Sequence, residues 1–311
     1  MVFSNGKNIA VLIPCLNEEK TIGKVVDDFR RQLPEATVYV FDNCSTDRAA
    51  AIACERGAVV IKEPRQGKGF VVESMFDRID ADYYVMVDGD DTYPADNVQE
   101  LLEPVLSGDA DMAVGARLSD YADKSFRPLH VFGNNLIKVL VNWVGNAHLT
   151  DILSGYRVFN RHVVGCIPVV SSGFEVETEM TIQMLYYRLK IVEVPIPYKA
   201  RPEGSVSKLK TFQDGFKVLW KIFSLFRAFK PLTFFGGMGL LLLLFGVLAG
   251  IAPINDYLID PNHNVRHIPL AILATSLVIL SSGCVFLGIL LHALNWRFRE
   301  LHNVLTRKRW I

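Results

Sequence analysis

Apolar residues fall in short runs over the first third of the chain, at 9–13, 38–41, 59–61, 83–87 and 112–114. Runs this short, bounded by Gly, Pro, Asn and Asp, predict strands, and their near-uniform apolarity predicts burial on both faces. Between them, 21–33, 48–56, 70–79 and 98–106 space their apolar residues as helices do. The alternation predicts an α/β domain with a mainly parallel sheet. Ligands of such sheets gather at the carboxyl ends of the strands. That singles out 14–18, 42–47 and 88–91, which follow the first, second and fourth strands.

The pattern changes after residue 119. Residues 130–144 predict a helix with Phe132, Leu136, Val139, Leu140 and Trp143 on its apolar side, facing either the core or a bilayer. Further strands are expected at 158–159 and 191–194, with a helix at 176–189. Residues 209–230 combine Phe212, Phe216, Leu219, Trp220, Phe223 and Phe226 with Lys210, Lys217, Lys221 and Arg227, the composition of a helix lying in a membrane interface. Residues 231–252 and 268–294 hold no Asp, Glu, Lys or Arg and are long enough to cross a bilayer core. The expected organisation is a catalytic domain over 1–208, a juxtamembrane amphipathic helix over 209–230 and a transmembrane hairpin over 231–311.

Charge orients the hairpin. Its connecting loop carries Arg266 as its one formal cation, whereas Lys221, Arg227 and Lys230 precede it and an Arg-rich tail follows. The positive-inside rule then places both termini and the catalytic domain in the cytoplasm. Overall, 33 Lys and Arg balance 33 Asp and Glu in 311 residues, giving no pointer to nucleic acid. Five scattered cysteines without a CxxC pair argue against a disulfide framework or zinc site and fit a reducing compartment. The apolar stretch 9–13 is too short for a signal peptide.

The chemistry concentrates at the strand ends. Asp88-Gly89-Asp90 offers hard carboxylate oxygens, suited to Mg²⁺ or Mn²⁺ bound together with substrate phosphates. Pro14 ends the first strand, and Glu18 is placed to accept hydrogen bonds from a base or ribose. Asp42 is a candidate acceptor for a nucleobase N–H, while Asp47 reads as a helix cap. The glycines of Gly67-Lys68-Gly69 allow close backbone approach to a ligand and aim an ammonium at it. Of Glu175, Glu177 and Glu179, one is expected to reach the site and the others to be solvated or capping.

Taken in order, Pro14 with Asn17-Glu18-Glu19, Asp42-Asn43-x-Ser45-x-Asp47, Gly67-Lys68-Gly69 and Asp88-Gly89-Asp90 resemble family 2 glycosyltransferases of the GT-A fold. The resemblance continues through Val114–Arg117, Asp151-Ile152-Leu153-Ser154-Gly155-Tyr156-Arg157, Val194-Pro195, Arg201, Gly204-Ser205 and Ser207-Lys208-Leu209. These later motifs are similar to the polyprenyl-phosphate branch, which includes dolichyl-phosphate mannose synthases and undecaprenyl-phosphate glucosyltransferases. The resemblance implies that Pro14, Asn17, Glu18, Asp42, Lys68, Asp88 and Gly89 line a nucleotide pocket and that Asp88 and Asp90 hold the metal. It makes Arg117, Ser154, Arg157, Arg201, Ser207 and Lys208 candidates for the acceptor phosphate or donor pyrophosphate. Asp90, Asp151 and Arg201 are the expected catalytic residues. Two positions depart from the pattern: Thr92 stands where some mannose synthases have a metal-binding Gln, and Thr150 where a basic residue often precedes the loop Asp.

The implied reaction is inverting transfer of one sugar from a nucleotide sugar to polyprenyl phosphate at the cytoplasmic membrane face, in glycan or cell-envelope biosynthesis. UDP-linked glucose or N-acetylglucosamine is the favoured donor and GDP-mannose the alternative. Similar membrane-bound enzymes form tetramers, so a homo-oligomer is an open alternative to a monomer. A lipid phosphate, with a second pKa of about 6, is already ionised at neutral pH, whereas a hydroxyl acceptor needs a base. Asp151 is therefore open to three roles: base, orienter of an Arg or metal, or fixer of its loop. A transferase acting on a lipid-linked saccharide or glycerolipid hydroxyl, and a noncatalytic nucleotide-sugar sensor, are the competing readings.

Overall fold

The computed structural model describes residues 6–117, 128–145, 147–173, 175–199, 211–262 and 264–308. Seven strands form one sheet: β1 Ile9–Cys15, β2 Thr37–Asp42, β3 Val59–Lys62, β4 Tyr83–Met86, β5 Met112–Arg117, β6 Arg157–Asn160 and β7 Ile191–Ile196. Their order is β3-β2-β1-β4-β6-β5-β7. All pairings are parallel except those of β6, which runs antiparallel to both β4 and β5.

Alternate residues of β1 explain the layers. Val11 and Ile13 join one apolar cluster with Val25, Val26 and Phe29 of α1 (Ile22–Gln32) and Leu101 and Leu102 of α4 (Val98–Leu106). Ala10 and Leu12 join the opposite cluster with Val72 and Met75 of α3 (Lys68–Arg78) and Met180 and Met184 of α7 (Val176–Tyr186). Helices therefore cover both faces, as the uniformly apolar strand runs require. The shorter α2 (Ala49–Glu55) adds Ala49 and Ala53 to the first cluster. A short helix not foreseen from the pattern, α6 (Arg161–Cys166), is capped by the Asn160 side chain accepting the Val163 N–H at 2.9 Å.

The helix expected at 130–144 forms as α5 (Pro128–Gly145), and of the two alternatives for its Val139–Trp143 side the core is not the one observed. Ile137 and Val141 are buried, whereas Val139 and Trp143 are exposed. The side chains of Phe132 and Leu136 lie outside those described. The amphipathic helix forms as α8 (Thr211–Phe229), with Phe216 and Trp220 exposed and stacked.

The chain divides into two compact units, Met1–Ile222 and Phe223–Ile311. The second contains α9 (Pro231–Ile259) and α10 (Ile268–Lys308), both long and apolar enough to cross a membrane. Small residues let them approach: the Ser281 hydroxyl donates to the Gly239 carbonyl at 2.8 Å, and a Cβ at Gly246 would lie 3.3 Å from the Ala274 carbonyl. In the loop, the Asp256 carboxylate accepts the N–H groups of Arg266 and His267.

In the first unit, the start of α3 presses on the loop before α7. A Cβ at Gly69 would overlap the Ser171 carbonyl, and one at Gly67, where φ is +142°, would overlap that of Ser172. Gly69→Ala should therefore destabilise the unit by about 1–3 kcal/mol. Gly165→Ala, which meets open space inside α6, should be neutral or slightly stabilising. Thermal unfolding of the two variants checks this contrast.

Candidate active site

In the order β3-β2-β1-β4 the sheet reverses direction of growth between β1 and β4. The crevice at such a point, outside the strands' carboxyl ends, is where doubly wound sheets bind ligands. Pro14, Asn17 and Glu18 follow β1, Asp42 ends β2, and Asp88-Gly89-Asp90 follows β4, so the topology gathers them at one edge.

Hydrogen bonds fix the loops there. Asn17, at φ +51°, receives the Thr46 N–H on its amide oxygen at 2.7 Å, and its own N–H meets Ser45 Oγ at 3.0 Å. Asn17 thus clasps the β1 loop to the β2 loop. The Glu18 carbonyl accepts the N–H groups of Thr21 and Ile22, opening α1. Asp42 takes the Ser45 N–H at 3.1 Å, and Asp47 accepts the N–H of Ala49 at the start of α2. The Gly89 carbonyl receives the Thr21 hydroxyl at 2.7 Å. Asn43, not singled out from the sequence, ties three segments: its Nδ2 donates to the Glu63 and Arg65 carbonyls and its Oδ1 accepts the Gly67 N–H. A buried Asn inside a polar loop run gives no signal of such a role in sequence.

Lys68 stands at the centre. Its ammonium lies 2.5 Å from Asp88 Oδ1 and 2.6 Å from Glu177 Oε1. Burial alone would favour the neutral amine, but the two carboxylates outweigh it and hold the pKa above its usual range. The flanking glycines also permit close contact with the 171–172 backbone, a role not foreseen from the sequence. Glu177 is the carboxylate of the 175–179 group that reaches the site. Glu179 is not solvated: it is buried, accepts the Ser171 N–H at 2.7 Å and pairs with Lys221 at 2.8 Å.

Asp90 is buried, and the Thr92 hydroxyl donates to its Oδ1 at 2.6 Å. The departure at Thr92 therefore supplies an orienting donor to this carboxylate. Among the described residues no group of three or more His, Cys, Asp or Glu forms a metal cage. Two hard carboxylates completed by phosphate oxygens and water are nonetheless a set that suits Mg²⁺ or Mn²⁺, so Asp88 and Asp90 fit such an ion.

The 151–157 loop passes directly against this centre, for a Cβ at Gly155 would overlap the Asp88 carboxylate. Tyr93 holds the loop by accepting the Gly155 N–H at 3.1 Å. Ser154 turns inward and donates to the Gly115 carbonyl at 2.6 Å. Arg157 has no exposed surface and donates to the carbonyls of Ser154 and Ile152 and to Thr181 Oγ1. The phosphate role expected of Arg157 and Ser154 does not fit these positions: their polar atoms brace the loop from beneath. The antiparallel insertion of β6, which begins at Arg157, is what turns that side chain inward.

Arg117 and Asp151 form a bidentate pair, Nε–Oδ2 at 2.6 Å and Nη2–Oδ1 at 2.8 Å, and the Arg117 N–H adds a third bond to Asp151. The Arg117 guanidinium also lies over the Tyr198 ring. From β7, Glu193 accepts the N–H groups of Thr150 and Asp151, so Thr150 anchors the loop where a basic residue was expected. Burial opposes ionisation of Asp151, yet Arg117 prevails and its pKa falls below the usual carboxylate value. Arg201, Ser207 and Lys208 lie outside the described residues.

The sequence of residues 10–167 matches the family described as glycosyl transferase family 2. The chain belongs to that family. It is 34% identical over 232 residues to the glycosyltransferase AglJ of Haloferax volcanii, covering 74% of this chain and 76% of that one. A dolichyl-phosphate hexose transferase of the same organism is 32% identical over 209 residues, covering 67% of this chain and 89% of that protein. Glucosyl-3-phosphoglycerate synthase from Mycobacterium tuberculosis, crystallised with Mn²⁺ and UDP-glucose, shares the fold. It superposes with a TM-score of 0.57 at 22% identity over 70% of this chain and 79% of that structure. The protein is thus a family 2 glycosyltransferase with a GT-A-like fold, related to enzymes of the polyprenyl-phosphate branch.

Because Asp151 is ionised throughout the neutral range and engaged by Arg117, Asp151→Asn should lower turnover by about 10- to 100-fold through misplacement of the loop. The fractional loss should be the same at pH 6 and pH 8. Paired pH–rate profiles check this, since loss of a general base would change the profile's shape.

Proposed function

We propose that this enzyme transfers a single hexose-type sugar, glucose or N-acetylglucosamine, from a UDP-sugar to polyprenyl phosphate, with inversion at the anomeric carbon. The observation that carries the reading is the Arg117–Asp151 pair: the acidic group of the acceptor loop is committed to Arg117 by three hydrogen bonds, two from its guanidinium and one from its backbone N–H. Such a carboxylate is a poor proton acceptor, which suits a nucleophile that needs no deprotonation. A lipid monophosphate, largely dianionic at pH 7, is one. The dolichyl-phosphate hexose transferase among the relatives supports the same acceptor class, and the fold neighbour bound to UDP-glucose supports the donor.

In this reading Asp42, Glu18 and Pro14 receive the nucleoside, and Lys68 faces the departing diphosphate. Asp88 and Asp90 hold a divalent ion, which when bound stabilises the charge developing on that leaving group. Gly155 brings the acceptor loop against Asp88, so the incoming phosphate meets the donor opposite its leaving group. Arg201, Ser207 and Lys208 are assigned to the acceptor phosphate, for which Arg and Lys are natural partners. The helices α9 and α10 anchor the catalytic unit to the bilayer with both termini cytoplasmic, by the distribution of Lys and Arg around the two spans.

Asp90→Asn should lower divalent-dependent transfer by about 100-fold or more while leaving the protein folded in the membrane fraction. Transfer assays with polyprenyl phosphate, the matching polyprenol and a glycolipid test the acceptor; transfer to the alcohol or glycolipid alone would overturn the reading. Reporter fusions at the C-terminus and within residues 260–266 should report opposite sides of the membrane. Two cytoplasmic signals would contradict the hairpin.

A further inference from the structure

Lys68 engages one of the two carboxylates assigned to the metal ion. Its ammonium sits on Asp88 Oδ1 at 2.5 Å, and the same ammonium is held by Glu177 at 2.6 Å. The side chains of Lys68, Asp88 and Glu177 are 11%, 28% and 5% exposed, so the pair with Glu177 is the deeper of the two. Asp90, the neighbouring carboxylate, is oriented separately by Thr92. A dication arriving at Asp88 alone competes with that ammonium for the carboxylate's charge and is repelled by it at short range. A diphosphate arriving with the dication gives that ammonium a new anionic partner.

We propose that Lys68 is a built-in counter-ion that a divalent cation displaces from Asp88, with Glu177 retaining it in the site to receive the donor diphosphate, so that cation and nucleoside diphosphate bind cooperatively. The inference rests on the assignment of Asp88 and Asp90 to a metal. Glu177 is here a positioning residue: it acts on the donor through Lys68. The device keeps Asp88 paired between turnovers, and it discourages occupation of the site by the metal without its nucleotide. Linkage requires the effect to be reciprocal, so Mn²⁺ should tighten UDP by the same factor that UDP tightens Mn²⁺.

The test is Mn²⁺ binding to the full chain in detergent, followed by the electron paramagnetic resonance signal of free Mn²⁺, with and without UDP. Lys68→Met alone leaves the buried Glu177 carboxylate without its ion-pair partner, a change that endangers folding. The double variant Lys68→Met, Glu177→Gln removes one charge of each sign, so its site has the wild-type net charge. In wild type, UDP should tighten Mn²⁺ by about 10-fold or more. Without UDP, the double variant should bind Mn²⁺ about 10-fold tighter than wild type, and UDP should then add less than about 3-fold. Tighter binding is a gain that general structural damage would not produce. Equal Mn²⁺ affinities without UDP, with the coupling intact in the double variant, would overturn the counter-ion role and leave the metal assignment standing. Absence of Mn²⁺ binding to either protein in the presence of UDP would overturn both.

Discussion

A charged amine removed from water must be neutralised where it lies, and Lys68 imposes that requirement on three elements at once. Its carboxylate partners come from the end of β4 and from α7, while the lysine itself opens α3. Leaving one charge of such a buried set without its partner costs about 3–5 kcal/mol. The elements are therefore held in a narrow geometry, and Gly67 and Gly69 are small enough to permit it. The loop at 170–172 completes the arrangement, since Glu179 accepts its N–H groups and Gly69 donates to its carbonyl. The ion pairs of Lys68 thus tie the end of β4, α3 and α7 to one another.

The acceptor side is built by the same means but with a different result. Arg157 lies under the 151–157 loop and satisfies its carbonyls, Tyr93 and Glu193 satisfy its N–H groups, and Arg117 takes its carboxylate. Buried polar groups tied by this many hydrogen bonds restrict the loop's conformation. A loop so braced presents its backbone against Asp88 in a fixed place and offers little basicity. That combination suits the proposed acceptor, a phosphate that arrives already charged.

Much of the scaffold was legible in the pattern of apolar runs. All seven strands were visible as short apolar runs, the central ones because a strand buried on both faces needs consecutive apolar residues, and the strand ends then located Asp42, Asp88 and Asp90. The apolar spans 231–252 and 268–294 likewise marked α9 and α10. The pairings across the site were not legible. Glu177 and Glu179 are two residues apart, and on a helix that separation turns them roughly 200° from each other. One therefore faces Lys68 and the other Lys221, because α7 is enclosed on both sides. The resemblance of the 151–157 motif made Arg157 a candidate phosphate ligand. Its burial follows from β6 entering the sheet antiparallel between β4 and β5, a choice of topology that its own four residues do not encode. Which face of α5 turns inward was likewise open, as Ile137 and Val141 are as apolar as Val139 and Trp143.

The central claim is that the phosphate of a lipid is the nucleophile at a site whose loop carboxylate is committed to Arg117. The most direct measurement follows that phosphorus itself, by ³¹P NMR of the lipid fraction during turnover with polyprenyl phosphate and the sugar donor. Conversion of the lipid monophosphate resonance into that of a phosphodiester, in step with release of nucleoside diphosphate, is the result predicted. Sugar incorporated into lipid while the monophosphate resonance stays unchanged would contradict the account.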